Sequence, residues 1–342
     1  MNPPSRFLTA LIPGLALVGL LTAVSYLLAR VPALALMGPL VVALVVGLAW
    51  RALAGLPGPA AAGARFSART LLRLGIVLLG VRLDFGLLVK VGPEVLLGSL
   101  LVVTLGICGI EWLGRLAGLP PGLRRGIAVG TSICGASAIL AAAPSTRMSD
   151  EEAGVSVGII STLGTLGVLV FALLSSLLEP ADRIYGFIVG STLQEVAQVI
   201  AAGYVPGNEA GDLATIVKLT RVALLAPVLL VLNSVLKGPS TAADTPHLRP
   251  AGASRFRLPV PLFLLGFLAV GVLASLGWLP AGVSRLMQSG SLLLTTMAMV
   301  GLGLGLDLLV FRRVGTRALI VGATGFAGLV AVMIPYALFV AR

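Results

Sequence analysis

The sequence predicts an all-α membrane protein with about eleven transmembrane helices, arranged as two inverted five-helix repeats with broken crossing helices. Three observations predict this fold class. First, 58% of the 342 residues are hydrophobic and only 11% are charged, whereas soluble chains carry about a quarter charged residues. Second, the apolar residues come in blocks of about 20, the length that crosses a hydrocarbon core of about 30 Å. Third, the Lys and Arg residues collect between these blocks.

The apolar blocks define a single polytopic domain over residues 1–342. An extra N-terminal helix at 7–29 precedes a first repeat at 31–178 and a second repeat at 183–340. Residues 237–257, which are rich in Pro, Ala and charge, are predicted to be a flexible cytoplasmic loop. The predicted spans are 7–29, 31–50, 69–89, 92–113, 122–144, 152–178, 183–203, 212–236, 258–280, 284–308 and 316–340.

The distribution of positive charge predicts the orientation. With the N-terminus inside, the predicted inner loops hold 15 Lys and Arg residues and the outer loops hold six. This excess indicates an inside N-terminus, an outside C-terminus and a bacterial inner-membrane location. The net charge of +11 does not indicate a nucleic-acid partner, because the basic residues stand singly or in twos and threes between apolar blocks. The single histidine excludes a histidine-based metal site, and no cofactor is predicted.

Internal symmetry predicts that span five pairs with span ten. Span five contains GTSICGASA at 130–138, and span ten contains SGS at 289–291 and GLGLG at 301–305, so both are candidates for interrupted helices. Other matches indicate different pairings and leave the assignment open. The segment at 80–92 resembles that at 303–315, and VGTS at 129–132 resembles VGST at 189–192.

The first polar cluster inside the predicted membrane lies in the middle of span five. If the helix opens here, freed backbone N–H groups and a half-helix N-terminus would favour an anion. The alternative is close helix packing through small residues. The candidate residues are Gly130, Thr131, Ser132, Cys134, Gly135 and Ser137.

Two further clusters lie on spans seven and eight. On span seven, Gln194, Glu195 and Gln198 share one helical face with Ser191, and the alternative reading is a hydrogen-bonded seam between helices. On span eight, Lys218 and Arg221 lie at a depth similar to that of Glu195. We therefore predict an ion pair of Glu195 with one of the two cations, leaving one positive charge to attract an anion.

These segments resemble signature segments of the YeiH family, bacterial inner-membrane proteins often described as sulfate exporters. The matching segments include GTSICGASAILAAAP at 130–144, STLQEVAQVIAAG at 191–203 and ATIVKLTRVALLAP at 214–227. The resemblance implies the inverted-repeat fold of bile-acid and sodium/proton transporters, and anion export. In the family a His commonly precedes the Glu-Val-Ala-Gln segment, whereas this chain has Gln194, which argues against proton coupling through that position.

The sequence therefore favours a secondary transporter of a small anion, such as sulfate or a sulfonate, over an enzyme. The alternative is a sodium- or proton-coupled carrier of an organic anion, followed by a passive channel. A membrane enzyme would need metal-binding Asp motifs or catalytic His residues, and none is visible. The expected partners are a small anionic solute, the lipid bilayer and a coupling ion. A homodimer is expected only by analogy with such folds.

Overall fold

The computed structural model describes residues 4–31, 34, 38–83, 85–236, 262–306 and 315–340, and all regular structure within these ranges is helical. The predicted cytoplasmic loop at 237–257 lies outside the described residues. The helices are α1 Pro4–Leu28, α2 Gly38–Ala54, α3 Ala61–Phe66, α4 Leu72–Leu79, α5 Phe85–Leu116, α6 Pro121–Ser132, α7 Ala136–Thr146, α8 Asp150–Leu178, α9 Asp182–Thr192, α10 Val196–Gly203, α11 Asn208–Ala223, α12 Leu225–Leu236, α13 Leu262–Ser275, α14 Ala281–Gly305 and α15 Thr316–Val340.

Within the described residues, six stretches are long and apolar enough to cross a membrane. They are Ala10–Leu28, Gly92–Leu116, Asp150–Leu178, Asn208–Leu232, Ala281–Gly305 and Thr316–Val340. Helix α8 also shows how a boundary is set. It begins with a capping box between Ser149 and Glu152, and acidic residues occupy its first turn, where they complement the positive end of the helix dipole.

The helices form two packed groups. The first, which we call the scaffold, contains α1, α2, α13, α14 and a rod over residues 58–82. In this rod a π-helical turn, Ser67–Leu71, joins α3 to α4. The second group, which we call the hairpin body, contains α5 to α12 and α15. The helices of each group pack mainly with one another, so the boundary between the groups is the least tightly packed part of the bundle.

Residues 121–146 form a helical hairpin, hairpin 1, instead of one span. Arg125 Nη1 in α6 donates a hydrogen bond of 3.3 Å to the carbonyl oxygen of Thr146 in α7. Residues this far apart in one straight helix would be separated by roughly 30 Å. Gly130 and Ile139 also lie against each other. The chain therefore leaves hairpin 1 at the end where it entered.

Residues 182–203 form a second hairpin, hairpin 2, from α9 and α10. The Tyr185 hydroxyl donates a 3.0 Å hydrogen bond to the carbonyl oxygen of Ala202. The end of α10 at Gly203 lies against Gly211, near the start of α11. Hairpin 2 therefore also returns to the end at which it began.

The two hairpins enter the bundle from opposite ends. Helix α8 runs parallel to α6, and α11 runs parallel to α9. The contacting pairs are Gly126 with Ser156 and Gly130 with Ile160 in the first case, and Gly186 with Ala210 and Gly190 with Ala214 in the second. Because α8 carries the chain across the bundle between the hairpins, hairpin 1 enters from one end (end A) and hairpin 2 from the other (end B).

This arrangement corrects two predictions. The expected crossings at 122–144 and 183–203 are hairpins, so eleven crossings are not confirmed. The expected interruption of span ten is wrong, because α14 is continuous over the GLGLG segment. Its glycines serve close packing instead. A methyl group at Gly301 would lie 2.7 Å from the backbone oxygen of Ala64, and one at Gly303 would lie 2.5 Å from that of Leu44.

Candidate functional site

The tips of the two hairpins define the candidate site. In hairpin 1 the helix stops at Ser132 and restarts at Ala136. Gly135, with φ of 65° and ψ of −132°, adopts a backbone conformation open mainly to glycine, which explains why the turn lies here. In hairpin 2 the chain is extended at Leu193 and Glu195 before α10 begins. The interruption predicted within residues 130–138 is confirmed, whereas the one at 193–195 was not predicted.

Two fully buried cations on α11 join the tips. Lys218 Nζ donates to the carbonyl oxygens of Ile133 and Leu193, both at 2.8 Å, and to that of Gln194. Arg221 donates to four carbonyls through its three guanidinium nitrogens. Its acceptors are Ser132 at 3.1 Å, Gly190 at 3.2 Å, Leu193 at 3.1 Å and Thr131 at 2.9 Å.

These bonds have a clear physical role. The last carbonyls of a helix lack intrahelical donors and carry a partial negative charge. Helices α6 and α9 both end inside the bundle, where water is scarce, so their carbonyls need other donors. Lys218 and Arg221 supply these donors for both ends at once. They are therefore fastening groups of the two tips, and their charge is partly neutralised by the helix ends.

Glu195 does not form the predicted ion pair. No ion pair joins it to Lys218 or Arg221 in the described part of the chain, although the predicted similarity in depth is right. Its carboxylate instead accepts a 2.7 Å hydrogen bond from Ser161 Oγ on α8 and lies beside Gly135, the residue that precedes α7. A capping box also links it to Gln198 at the start of α10. The carboxylate thus lies at the N-terminal ends of α7 and α10, and Glu195 is mostly buried.

Two polar side chains at the tips have no hydrogen-bond partner within the described residues. The amide nitrogen and oxygen of Gln194 and the hydroxyl of Thr131 are fully buried, and none makes a hydrogen bond. Such groups are rare in native proteins and call for an explanation, such as a bound water, ion or solute. Ser137 differs, because it is exposed and its hydroxyl donates a 3.1 Å hydrogen bond to the carbonyl oxygen of Cys134.

All eleven candidate residues lie on the two tips or on the helix that joins them. The predicted polar face of span seven does not exist as such, because the helix is interrupted between Ser191 and Gln198. Gln198 caps the start of α10 and donates a 3.2 Å hydrogen bond to the carbonyl oxygen of Ser161. The Ser191 hydroxyl donates a hydrogen bond to the carbonyl oxygen of Ile188 in its own helix. The match of VGTS with VGST was the signal for the paired tips, since these segments end α6 and α9.

A second polar cluster, not predicted from the sequence, closes the boundary between the groups at end B. Arg82, at the end of the scaffold rod, forms a two-point ion pair with Asp212 of α11 at 2.9 and 3.2 Å. The Tyr204 hydroxyl also donates to Asp212, and its ring lies beneath the Arg82 guanidinium at 5.4 Å. Cavities of about 290 and 380 Å³ flank this cluster, and Arg82 and Tyr204 line both.

Comparison with known proteins identifies the family. Residues 13–322 match the family model described as conserved hypothetical protein 698. A UPF0324 membrane protein of Bacillus cereus is 38% identical over 313 residues, covering 91% of this chain and 90% of the relative. One of Pseudomonas aeruginosa is 40% identical over 338 residues, covering 94% and 92%. No solved structure matches the chain. The chain belongs to this family, which confirms the YeiH-type resemblance and a multi-pass bacterial membrane protein.

Proposed function

We propose that this member of the conserved hypothetical protein 698 family is a secondary transporter that exports a small anion, such as sulfate or a sulfonate, by alternating access. The observation that carries the proposal is the pair of unpartnered polar groups at the tips, on Gln194 and Thr131. They lie where two hairpins from opposite ends meet, beside two buried cations. A bound solute would give these groups the hydrogen bonds that the chain itself does not supply.

The proposed membrane topology has nine crossings and two re-entrant hairpins. Re-entrant segments are tolerated at membrane depth where protein buries them or where they line a water-filled cavity. The positive-inside rule places end A in the cytoplasm, with the N-terminus inside and the C-terminus outside. Relative to eleven crossings, Arg147 moves inside and Arg183 moves outside, so the excess of inner charge is kept.

The proposed repeats are residues 38–178 and 182–340, with the helix order permuted in the second. Hairpin 1 and α8 correspond to hairpin 2 and α11, which run in the opposite direction. Then α2, the rod at 58–82 and α5 correspond to α13, α14 and α15. Both remaining sequence matches support this single pairing. The segments at 80–92 and 303–315 join corresponding helices, and VGTS and VGST end corresponding hairpin arms.

The charge balance at the tips favours an anion. Lys218 and Arg221 bring two positive charges, and the ends of α6 and α9 offset only part of them. Glu195 is the acidic residue held at the tips. Since it has no ion-pair partner there, its carboxylate favours the alternative in which a proton or sodium ion accompanies an organic anion.

The proposed movement is that of the hairpin body against the scaffold. The ion pair of Arg82 with Asp212 ties the groups at end B. On the end A side of the tips, Ser137, Leu140 and Ala141 of α7 are exposed. This difference supports a conformation closed at the outer end and reachable from the cytoplasm. A homodimer stays a prediction.

The test is thermal stabilisation of the purified protein by a panel of small anions, with and without sodium and across pH. A solute that binds only the folded state raises the melting temperature. We expect a selective rise with sulfate or a sulfonate that is lost in Gln194→Ala. Gln288→Ala is the control, because Gln288 is an exposed residue at the end B cavity. A rise with sodium and with no anion would favour the cation-coupled alternative, and no rise with any anion contradicts the proposal.

A further inference from the structure

The larger of the two cavities at end B, which we call the outer cavity, lies between the scaffold and the hairpin body. Its volume is about 380 Å³, within the range of about 300–1,000 Å³ that small-molecule sites occupy. On its scaffold wall it runs roughly 9 Å along α14, from the exposed Ser289 to the buried Thr295. On its other wall, Ile200 lies five residues from Glu195 along hairpin 2. The outer cavity therefore extends from the end B surface toward the hairpin tips.

The charge of its lining sets the outer cavity apart from its smaller neighbour. Among the described residues, Arg82 is the one charged residue that lines the outer cavity. The smaller cavity is lined by Arg82 together with the carboxylates of Glu209 and Asp212. The formal charge of the lining is thus positive in the outer cavity and negative in the smaller one. An anion that reaches end B is therefore attracted to the outer cavity.

Two helices begin at the outer cavity and add hydrogen-bond donors to it. Helix α2 starts at Gly38 and α11 starts at Asn208, and both residues line the cavity. The first backbone N–H groups of a helix have no intrahelical acceptor and carry a partial positive charge. Arg82 itself uses two of its five N–H donors for Asp212, through Nε and Nη2. The rod, α2 and α11 can thus all contribute donors to one anion.

We propose that the outer cavity is a second binding site for an oxyanion, such as sulfate or a sulfonate, in which Arg82 pairs with the anion in place of Asp212. This inference rests on the proposed function and deepens it, because the cavity lies between the tips and the outer surface. The planar guanidinium matches two oxygens of such an anion in the way that it matches the Asp212 carboxylate. Asp212 keeps the hydrogen bond from the Tyr204 hydroxyl when Arg82 leaves it. An anion that arrives from the tips therefore releases the tie at end B and opens its own exit.

The experiment titrates sulfate and methanesulfonate into the full-length protein carrying Gln194→Ala, which removes the proposed tip site. The protein is held in detergent without phospholipid. Because Asp212 competes for Arg82, the outer site fills at higher anion concentrations than the tip site. Arg82→Gln should weaken this binding by at least about tenfold, since hydrogen bonds from a charged group are lost. Asp212→Asn should instead tighten it by at least about threefold, because the anion no longer displaces a partly exposed ion-pair partner.

The two variants break the same ion pair, so a purely structural effect would change the affinity in the same direction in both. Glu209→Gln is the matched control, because it removes a carboxylate three residues from Asp212 that lines the smaller cavity and not the outer one. It should change the affinity by less than about twofold.

Weaker binding in both ion-pair variants, or unchanged binding in both, would overturn the inference. Complete loss of anion binding in Gln194→Ala at every concentration would overturn it too, and would leave the tip site and the proposed function in place. If added phosphatidylglycerol binds with the expected pattern and neither sulfate nor methanesulfonate does, the cavity holds a lipid headgroup and the inference is wrong. If neither these anions nor any other in the panel binds the wild-type protein, the proposed function itself fails.

Discussion

The hydroxyl of Thr131 offers the most direct test of the site, because two threonines at the tips differ in one respect. Thr131 and Thr192 are both fully buried near the ends of α6 and α9. Thr192 Oγ1 donates a 2.7 Å hydrogen bond to the carbonyl of Ile188, whereas Thr131 Oγ1 has no partner in the part of the chain that the structure describes. Valine has nearly the same shape as threonine. Each Thr→Val change therefore removes a hydroxyl and little else.

The two variants should move stability in opposite directions. Leaving a polar group buried and unpaired costs about 1–3 kcal/mol, and a typical hydrogen bond contributes about 0.5–1.5 kcal/mol. Thr131→Val should then stabilise the protein by about 1–3 kcal/mol, and Thr192→Val should destabilise it by about 0.5–1.5 kcal/mol. Equilibrium unfolding in detergent micelles measures both. If Thr131 takes part in binding, the more stable variant should also lose anion affinity.

Equal destabilisation by the two changes would refute this reasoning. It would mean that the Thr131 hydroxyl already has a partner in the protein, such as an ordered water. The polar groups at the tips would then indicate a hydrated turn and not a solute site. A stabilised Thr131→Val that binds anions normally would place the site away from this hydroxyl.

Three further predictions concern the hairpins and their fastening. A cysteine replacing Arg147 should react with a membrane-impermeant thiol reagent only from the cytoplasm, and one replacing Arg183 only from outside. Asp212→Asn should weaken the closure at end B, so that a cysteine at Val205, which lines the adjoining cavity, reacts faster from outside. Arg221→Met should cost about 3–5 kcal/mol of folding stability, because four buried carbonyls lose their charged donor, and the melting temperature should fall accordingly.

Each outcome has an opposite that would count against the structure. The reverse labelling pattern for Arg147 and Arg183 is the one that eleven crossings require. Unchanged labelling at Val205 would show that Asp212 does not hold the end B boundary closed. Normal stability of Arg221→Met would mean that its carbonyl partners find other donors. The labelling experiments need Cys108→Ala as background, since Cys108 is exposed.

The fold class was readable from composition, but the hairpins were not. A hairpin with two arms of about eleven residues has the length and apolarity of one span. The distribution of Lys and Arg over the loops could not distinguish a single span from a hairpin either. Turning one span into a hairpin moves the next loop to the opposite side of the membrane, and the second hairpin restores the original side. Only the loops between the hairpins change sides, and they carry Arg147 at one end of α8 and Arg183 near the other.

The residues of the candidate site could be predicted from the sequence, but the contacts between them could not. Composition within the apolar blocks selected residues that the structure brings together at the tips and on α11. The predicted partner of the α11 cations was wrong, because the charges of side chains can be read from a sequence but the partial charges at helix ends cannot. Reading 183–203 as a continuous helix left no carbonyl ends for Lys218 and Arg221 to cap. Glu195 then remained as the nearest counter-charge.

The proposed repeats also explain why both fastening cations lie on a single helix. Gly130 contacts Ile160, and Gly190 contacts Ala214, so the repeat places Lys218 opposite Gly164 and Arg221 opposite Gly167. These glycines leave no room for a longer side chain. A methyl group at Gly164 would lie 2.1 Å from Gln198 Oε1, and one at Gly167 would lie 2.8 Å from Leu193 Cδ2.

Because the tips share one centre, a single pair of cations reaches the carbonyls of both. A second pair on α8 would add two buried charges with no carbonyls left to cap. The cations therefore occur on α11 alone, and the corresponding positions of α8 are glycines. A solute between the hairpins would thus meet two chemically different surfaces.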